Sequence, residues 1–175
     1  MDVRSLQPNR IFGCAVVLAL LCFACPAELL AQCKVQKLTA SDAALDDLFG
    51  VSVSISGTVA VVGANRAACS AGAACGAAYV YRFDGSTWFP EQKLAAPDAA
   101  AYNYFGSSVA VSGDAIIVGA PLGGCGSEFT GSAYVFRFDG STWAQQAELC
   151  ASDAAPYDYF GHSVSGSGNF AVVGA

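Results

Sequence analysis

From residue 50 the chain alternates: Val51, Val53 and Ile55 share one face and Ser52, Ser54 and Ser56 the other, which is the period of a half-buried strand. Gly57 turns the chain, and 58–62 reads as the antiparallel partner. Its counterpart at 115–118 is continuously apolar, as expected of a strand covered on both faces. A short buried helix there conflicts with the β-branched residues and the flanking glycines. Alternation returns at 78–83 and 133–138, where Tyr134, Phe136 and Phe138 oppose Val135 and Arg137. Asp84-Gly85 and Asp139-Gly140 supply hairpin turns, since glycine accepts positive φ. Residues 88–94 and 143–149 then read as more polar strands, suited to an outer edge.

These elements recur in step. Phe49-Gly50 returns as Phe105-Gly106 and Phe160-Gly161, 56 and then 55 residues on, and Gly63 returns as Gly119 and Gly174 at the same offsets. The string RFDGSTW at 82–88 reappears unchanged at 137–143. The loop 65–76 is one residue longer than its counterpart 121–131, which explains the change of offset, because insertions collect in loops. A period a little above fifty residues indicates a solenoid, propeller or array. Each repeat is four antiparallel strands, small and aliphatic first, aromatic and then polar last. That taper suits a β-propeller blade, whose inner strands are crowded and whose outer strands fan apart.

Composition limits the rest. With 54% hydrophobic and 13% charged residues the chain can build a core and is not a disordered tail. Its net charge of −6 makes nucleic acid an unfavourable partner. Arg4 and Arg10 precede an apolar run at 11–25, then Pro26 and a stretch ending Leu29-Leu30-Ala31. This is the pattern of a secretory signal peptide over 1–31, too short for the ~20 apolar residues of a span, so a membrane would be met only through this segment if uncleaved. Cys33, Cys69, Cys75, Cys125 and Cys150 follow it. Cys69 and Cys75 share a loop and can bridge in an oxidising compartment, while Cys150 or Cys33 is expected to find its partner beyond the sequence. Paired C-x-x-C spacing and a nearby His are both missing, which argues against zinc.

The expected organisation is a signal peptide at 1–31, a leading outer strand (33–38) and inter-blade loop within 32–48, blades at 49–104 and 105–159, and a truncated first half-blade at 160–175. The positions Phe49, Gly50, Gly63, Phe105, Gly106, Gly119, Phe160, Gly161 and Gly174, with Pro121 completing one Gly-Ala-Pro, resemble the FG-GAP repeat family, known from integrin α-subunit propellers. The resemblance implies an extracellular recognition propeller. Many family repeats hold calcium in a D-x-D-x-D-G loop between the first two strands. Here that hairpin is as short as Ser56-Gly57-Thr58, so no metal and no cofactor is expected. Asp42, Asp46 and Asp47 read instead as turn-capping carboxylates.

In integrins, the aromatic pair before the glycine lies on the loop between blades and faces the ligand side. Tyr104 and Tyr159 match that position, with Tyr102 and Tyr157 just upstream, and these four are the candidate ligand-binding residues for an extracellular protein or carbohydrate. The phenylalanines are expected to wedge between blades. The only histidine, His162, corresponds to Val51 and Ser107, and no nucleophile elbow, metal-ligand pair or phosphate loop appears, so the chain is expected not to be an enzyme. The expectation is a secreted or cell-surface adhesion module; the alternatives are the propeller part of a secreted hydrolase or lyase, or a purely structural envelope component.

Overall fold

Every described element is a strand. The computed structural model describes residues 36–125 and 129–175, so the signal segment 1–31 and Cys33 lie outside them. Strands β1 (Phe49–Ser56), β2 (Val59–Ala64), β3 (Ala77–Phe83) and β4 (Trp88–Leu94) form one sheet in that order. Strands β5 (Ser108–Ser112), β6 (Ala115–Ala120), β7 (Ser132–Phe138) and β8 (Trp143–Leu149) repeat it. Strands β9 (Ser163–Ser167) and β10 (Phe170–Gly174) begin a third. All pairings are antiparallel. The molecule is all-β and built of propeller blades, two of four strands and one of two.

Strands β2 and β6 are buried along their whole length, as their unbroken apolar sequences require. The core between the first two blades combines Val59, Val61 and Val80 with Val109, Ile116, Val118 and Tyr134. Each such aliphatic side chain contributes roughly 2 kcal/mol by leaving water. Phe105 is fully buried in this layer, its ring 5.4 Å from that of Tyr134 and 6.1 Å from that of Phe136. Phe49 is half-buried beside the core of its own blade, and Phe160 is half-buried against Ala110, Ile117 and Ala133 of the preceding blade.

The outer rim is tied by a bulge. In β4 the register passes from Val80↔Gln92 to Tyr81↔Pro90, leaving Glu91 unpaired in the ladder, and β8 does the same at Gln146. The bulge aims Glu91 and Gln92 at the next blade. Gln92 donates to the Trp143 carbonyl at 2.8 Å and accepts from Trp143 N at 2.7 Å, while the Trp143 indole donates to Glu91 at 3.0 Å. Arg82 holds Glu91 through two nitrogens, at 2.6 and 3.0 Å, and lies 4.8 Å above the Phe138 ring.

The leading strand is only half described, and the expectation for Cys150 changes. Of the expected leading strand, Cys33, Lys34 and Val35 lie outside the described residues and Gln36, Lys37 and Leu38 form no strand. Leu38 packs its side chain on the first blade's core. Cys150 also has its partner within the chain: it is bonded to Cys125, with Cα atoms 5.8 Å apart. The Ala133↔Leu149 pairing brings the end of β8 beside the loop entering β7, which supplies Cys125. Cys69 and Cys75 form the second bridge.

Candidate functional site

The loops that join one blade to the next share an unusual backbone. Asp46 and Leu48, Tyr102 and Tyr104, and Tyr157 and Tyr159 all have positive φ, between +54° and +72°. Each left-handed residue without glycine's freedom costs roughly 1–2 kcal/mol, so other contacts must hold them. The β2–β3 loop does so: Tyr102 N donates to the Ala73 carbonyl at 3.0 Å, Tyr104 N to Ala74 at 3.1 Å and Phe105 N to Cys75 at 2.9 Å. The Cys69–Cys75 bridge closes that same loop. In the next repeat Tyr157 N donates to the Phe129 carbonyl at 3.1 Å and Phe160 N to Thr130 at 2.9 Å. The loops are therefore preset in shape.

Between the first two inter-blade loops lies a groove of about 470 Å³, lined by Leu45, Asp46, Asp47, Arg66, Tyr102 and Tyr104 among others. Tyr102 is 58% exposed, whereas Tyr104 is half-buried. Asp47 is buried and caps its own turn by accepting from Ala44 N at 2.8 Å, and Asp158 repeats this with Ala155 N at 2.7 Å. Asp46 and Arg66 stay exposed on the groove, beside the buried Asp47. One repeat further, Phe129 stands where the first repeat has Ala74. Its ring stacks on Tyr157 at 5.7 Å, and Tyr159 meets Tyr157 edge-on at 6.3 Å.

Sequence reasoning named the four tyrosines but missed Arg66 and Phe129. Both sit in the β2–β3 type of loop, the least regular part of the repeat, and only the fold brings that loop beside the next repeat's tyrosines. The most exposed members are Tyr102 and Tyr157 rather than the pair next to the phenylalanines.

Beneath the rim, acidic residues bind the strand tyrosines. Tyr79 donates to Asp42 at 2.9 Å, and Lys93 forms a 2.6 Å ion pair with the same carboxylate. The Lys93 hydrogen bond is the main influence holding Asp42 below the usual carboxylate range. Tyr134 donates to Asp98 at 3.0 Å, but Glu148 takes the place of Lys93 there. Burial first, and then the Asp98 charge, hold the Glu148 carboxyl above its ordinary value. Burial is also the main cause that raises the phenols of Tyr79 and Tyr134.

Asp42 is thus engaged with Lys93 and Tyr79, and Asp47 with its own turn, which breaks up the acidic trio as a cation cage. Cys125, Glu148 and Cys150 bring donor atoms within 4.8 Å of one another, but the two sulfurs are bonded to each other and leave one carboxylate. His162 is exposed, and its backbone N–H donates to the Tyr159 carbonyl at 2.9 Å. The arrangement offers aromatic area and hydrogen-bonding groups on a fixed backbone.

No curated protein matches the chain. The FG-GAP repeat profile matches residues 33–81, 88–136 and 143–175. Two of those windows open at Trp88 and Trp143, the first residues of β4 and β8, so the sequence unit starts on the outer strand of one blade and runs into the next. With the profile covering most of its length in three successive repeats, the chain belongs to the FG-GAP repeat family.

Proposed function

We propose that this protein is an exported binding module that captures an extracellular protein or carbohydrate on its inter-blade loops, without catalysis. The observation that carries the reading is the groove of about 470 Å³ flanked by the exposed Tyr102, on a loop whose backbone is fixed at a conformational cost. Exposed aromatics on a preset loop give contact area with little ordering penalty. Tyr157 extends the same aromatic surface one repeat further. The acidic balance disfavours nucleic acid, and membrane contact is confined to residues 1–31 if they are retained.

The test presents immobilised glycans and a panel of extracellular matrix proteins to the wild type and to Tyr102→Asn/Tyr157→Asn. Asparagine accepts left-handed backbone, so the loop keeps its path while the rings are lost. Capture by the wild type that falls at least about tenfold in the variant supports the reading, given the usual weight of central aromatics. Undiminished capture removes the loops from the account. A wild type that captures nothing favours the structural envelope role instead.

A further inference from the structure

The two disulfides hold the inter-blade loops in different ways. Cys69 and Cys75 lie 6 residues apart in the β2–β3 loop, with Cys75 wholly buried and Cys69 half-buried. Cys125 and Cys150 lie 25 residues apart, and their bridge ties the loop that enters β7 to the end of β8. Cys150 is exposed. Ala95, which holds the same place after β4, is exposed as well although a complete blade stands beside it, so the exposure belongs to the position in the repeat.

Short links join this second bridge to the loop tyrosines. Cys125 N donates to Thr130 Oγ1 at 3.1 Å, and Gly131 N donates to the Gly123 carbonyl at 2.8 Å. Thr130 is buried, and its carbonyl accepts from Phe160 N at 2.9 Å. The Phe129 carbonyl accepts from Tyr157 N at 3.1 Å, while the Phe129 ring stacks on that tyrosine. Tyr157 and Tyr159 have the left-handed backbone that needs such support. Cys125 Sγ lies 3.6 Å from a Glu148 carboxylate oxygen and 3.8 Å from the Leu149 carbonyl oxygen, so a free thiol at Cys125 has two acceptors at hand.

We propose that the Cys125–Cys150 bridge is a thiol-exchange site, opened by an external dithiol, and that its state sets how firmly Tyr157 and Tyr159 are held. A thiolate of the dithiol attacks the exposed Cys150 sulfur. The S–S bond breaks, and its electron pair passes to the Cys125 sulfur, which takes a proton from water. The second thiol, having lost its proton to water, then displaces the Cys150 sulfur from the mixed disulfide, and that thiolate is protonated in turn. The protein gains two electrons and two protons, and the dithiol becomes a disulfide. Tyr102 and Tyr104, held by the loop that the buried bridge closes, keep their support throughout. The effect on capture rests on the binding reading given above; the exchange and its effect on the loop do not.

The test treats the folded protein with limiting dithiothreitol, alkylates the freed thiols and locates them by peptide mass mapping. Amide hydrogen exchange of the opened and closed forms follows. Cys125 and Cys150 should be labelled about tenfold or more faster than Cys69 and Cys75. In the opened form the Tyr157 and Phe160 amides should exchange severalfold faster, while those of Tyr102 and Phe105 keep their rates. Cys125→Ser/Cys150→Ser should show the opened pattern with no dithiol added. Should that variant misfold, the wild type opened after folding carries the comparison. A bridge that stays closed, labelling of Cys69 and Cys75 as fast as that of the other pair, or Tyr157 and Phe160 amides indifferent to opening each overturns the inference. None of these readouts needs a ligand, so a wild type that captures no glycan or matrix protein removes the binding reading alone.

Discussion

Seven tyrosines are distributed over two regions of this molecule, and the contrast between them separates what holds the fold from what is free to act. Tyr79, Tyr81 and Tyr134 lie on third strands, buried, with hydroxyls donating to Asp42, the Thr39 carbonyl and Asp98. Tyr102, Tyr104, Tyr157 and Tyr159 lie on inter-blade loops, exposed or half-buried, each on left-handed backbone. The strand tyrosines spend their ring area and their hydroxyl inside the molecule. The loop tyrosines sit on the same left-handed backbone as Asp46 and Leu48, and Tyr102 and Tyr157 expose most of their rings, which is what the proposed binding role rests on.

The largest effect should come from emptying a strand site. Tyr134→Ala removes a fully buried ring from between Phe105 and the second blade's strands and should cost about 3–5 kcal/mol in chemical denaturation. A loss below about 1 kcal/mol would show that the strand tyrosines are not structural. Next, Gln92→Ala leaves the Trp143 N–H and carbonyl without their partners and should cost about 1–3 kcal/mol. The second blade has Ala147 at that position, so the equivalent tie is particular to the first seam.

Smaller still is the hydroxyl term. Tyr79→Phe should cost about 1–2 kcal/mol at neutral pH, since a charged acceptor loses its donor. The three strand phenols are all raised above the ordinary value of 10.0, burial being the leading cause. The native state therefore holds these protons more tightly than the unfolded chain does. Stability is intact below that value and declines as pH rises through it, and Tyr134→Phe should flatten the decline measured by unfolding midpoints in alkali.

The smallest effect distinguishes the two blades. Glu148, with its carboxyl held above the ordinary 4.5, makes the native state bind a proton more tightly, so stability falls as pH rises from that value toward neutrality. Asp42 acts oppositely: its contribution is present above the ordinary 3.8 and is lost as pH falls through its lowered native value. Glu148→Gln should raise the neutral-pH unfolding midpoint slightly and remove the first slope while leaving the second.

The sequence made the strands legible because alternation, paired glycines and Asp-Gly turns repeat at a fixed distance. The buried runs at β2 and β6 and the polar outer strands β4 and β8 follow from the same pattern. The loops were less legible. Left-handed φ at Tyr102 or Asp46 leaves no mark in residue type, because neither is a glycine. Arg66 and Tyr102 lie far apart along the chain and line one groove only once the chain is folded. The Cys125–Cys150 bridge was hidden for a similar reason, since β7 and β8 separate its halves and only their pairing register brings the ends together.

The most direct test of the division between strand and loop tyrosines is the denaturant unfolding of Tyr102→Asn/Tyr157→Asn beside that of Tyr134→Ala. The loop variant should unfold within about 1 kcal/mol of the wild type, the stacking of Tyr157 on Phe129 being the main loss. A loop variant destabilised as much as Tyr134→Ala would contradict the account, for it would make the rim tyrosines part of what holds the blades together.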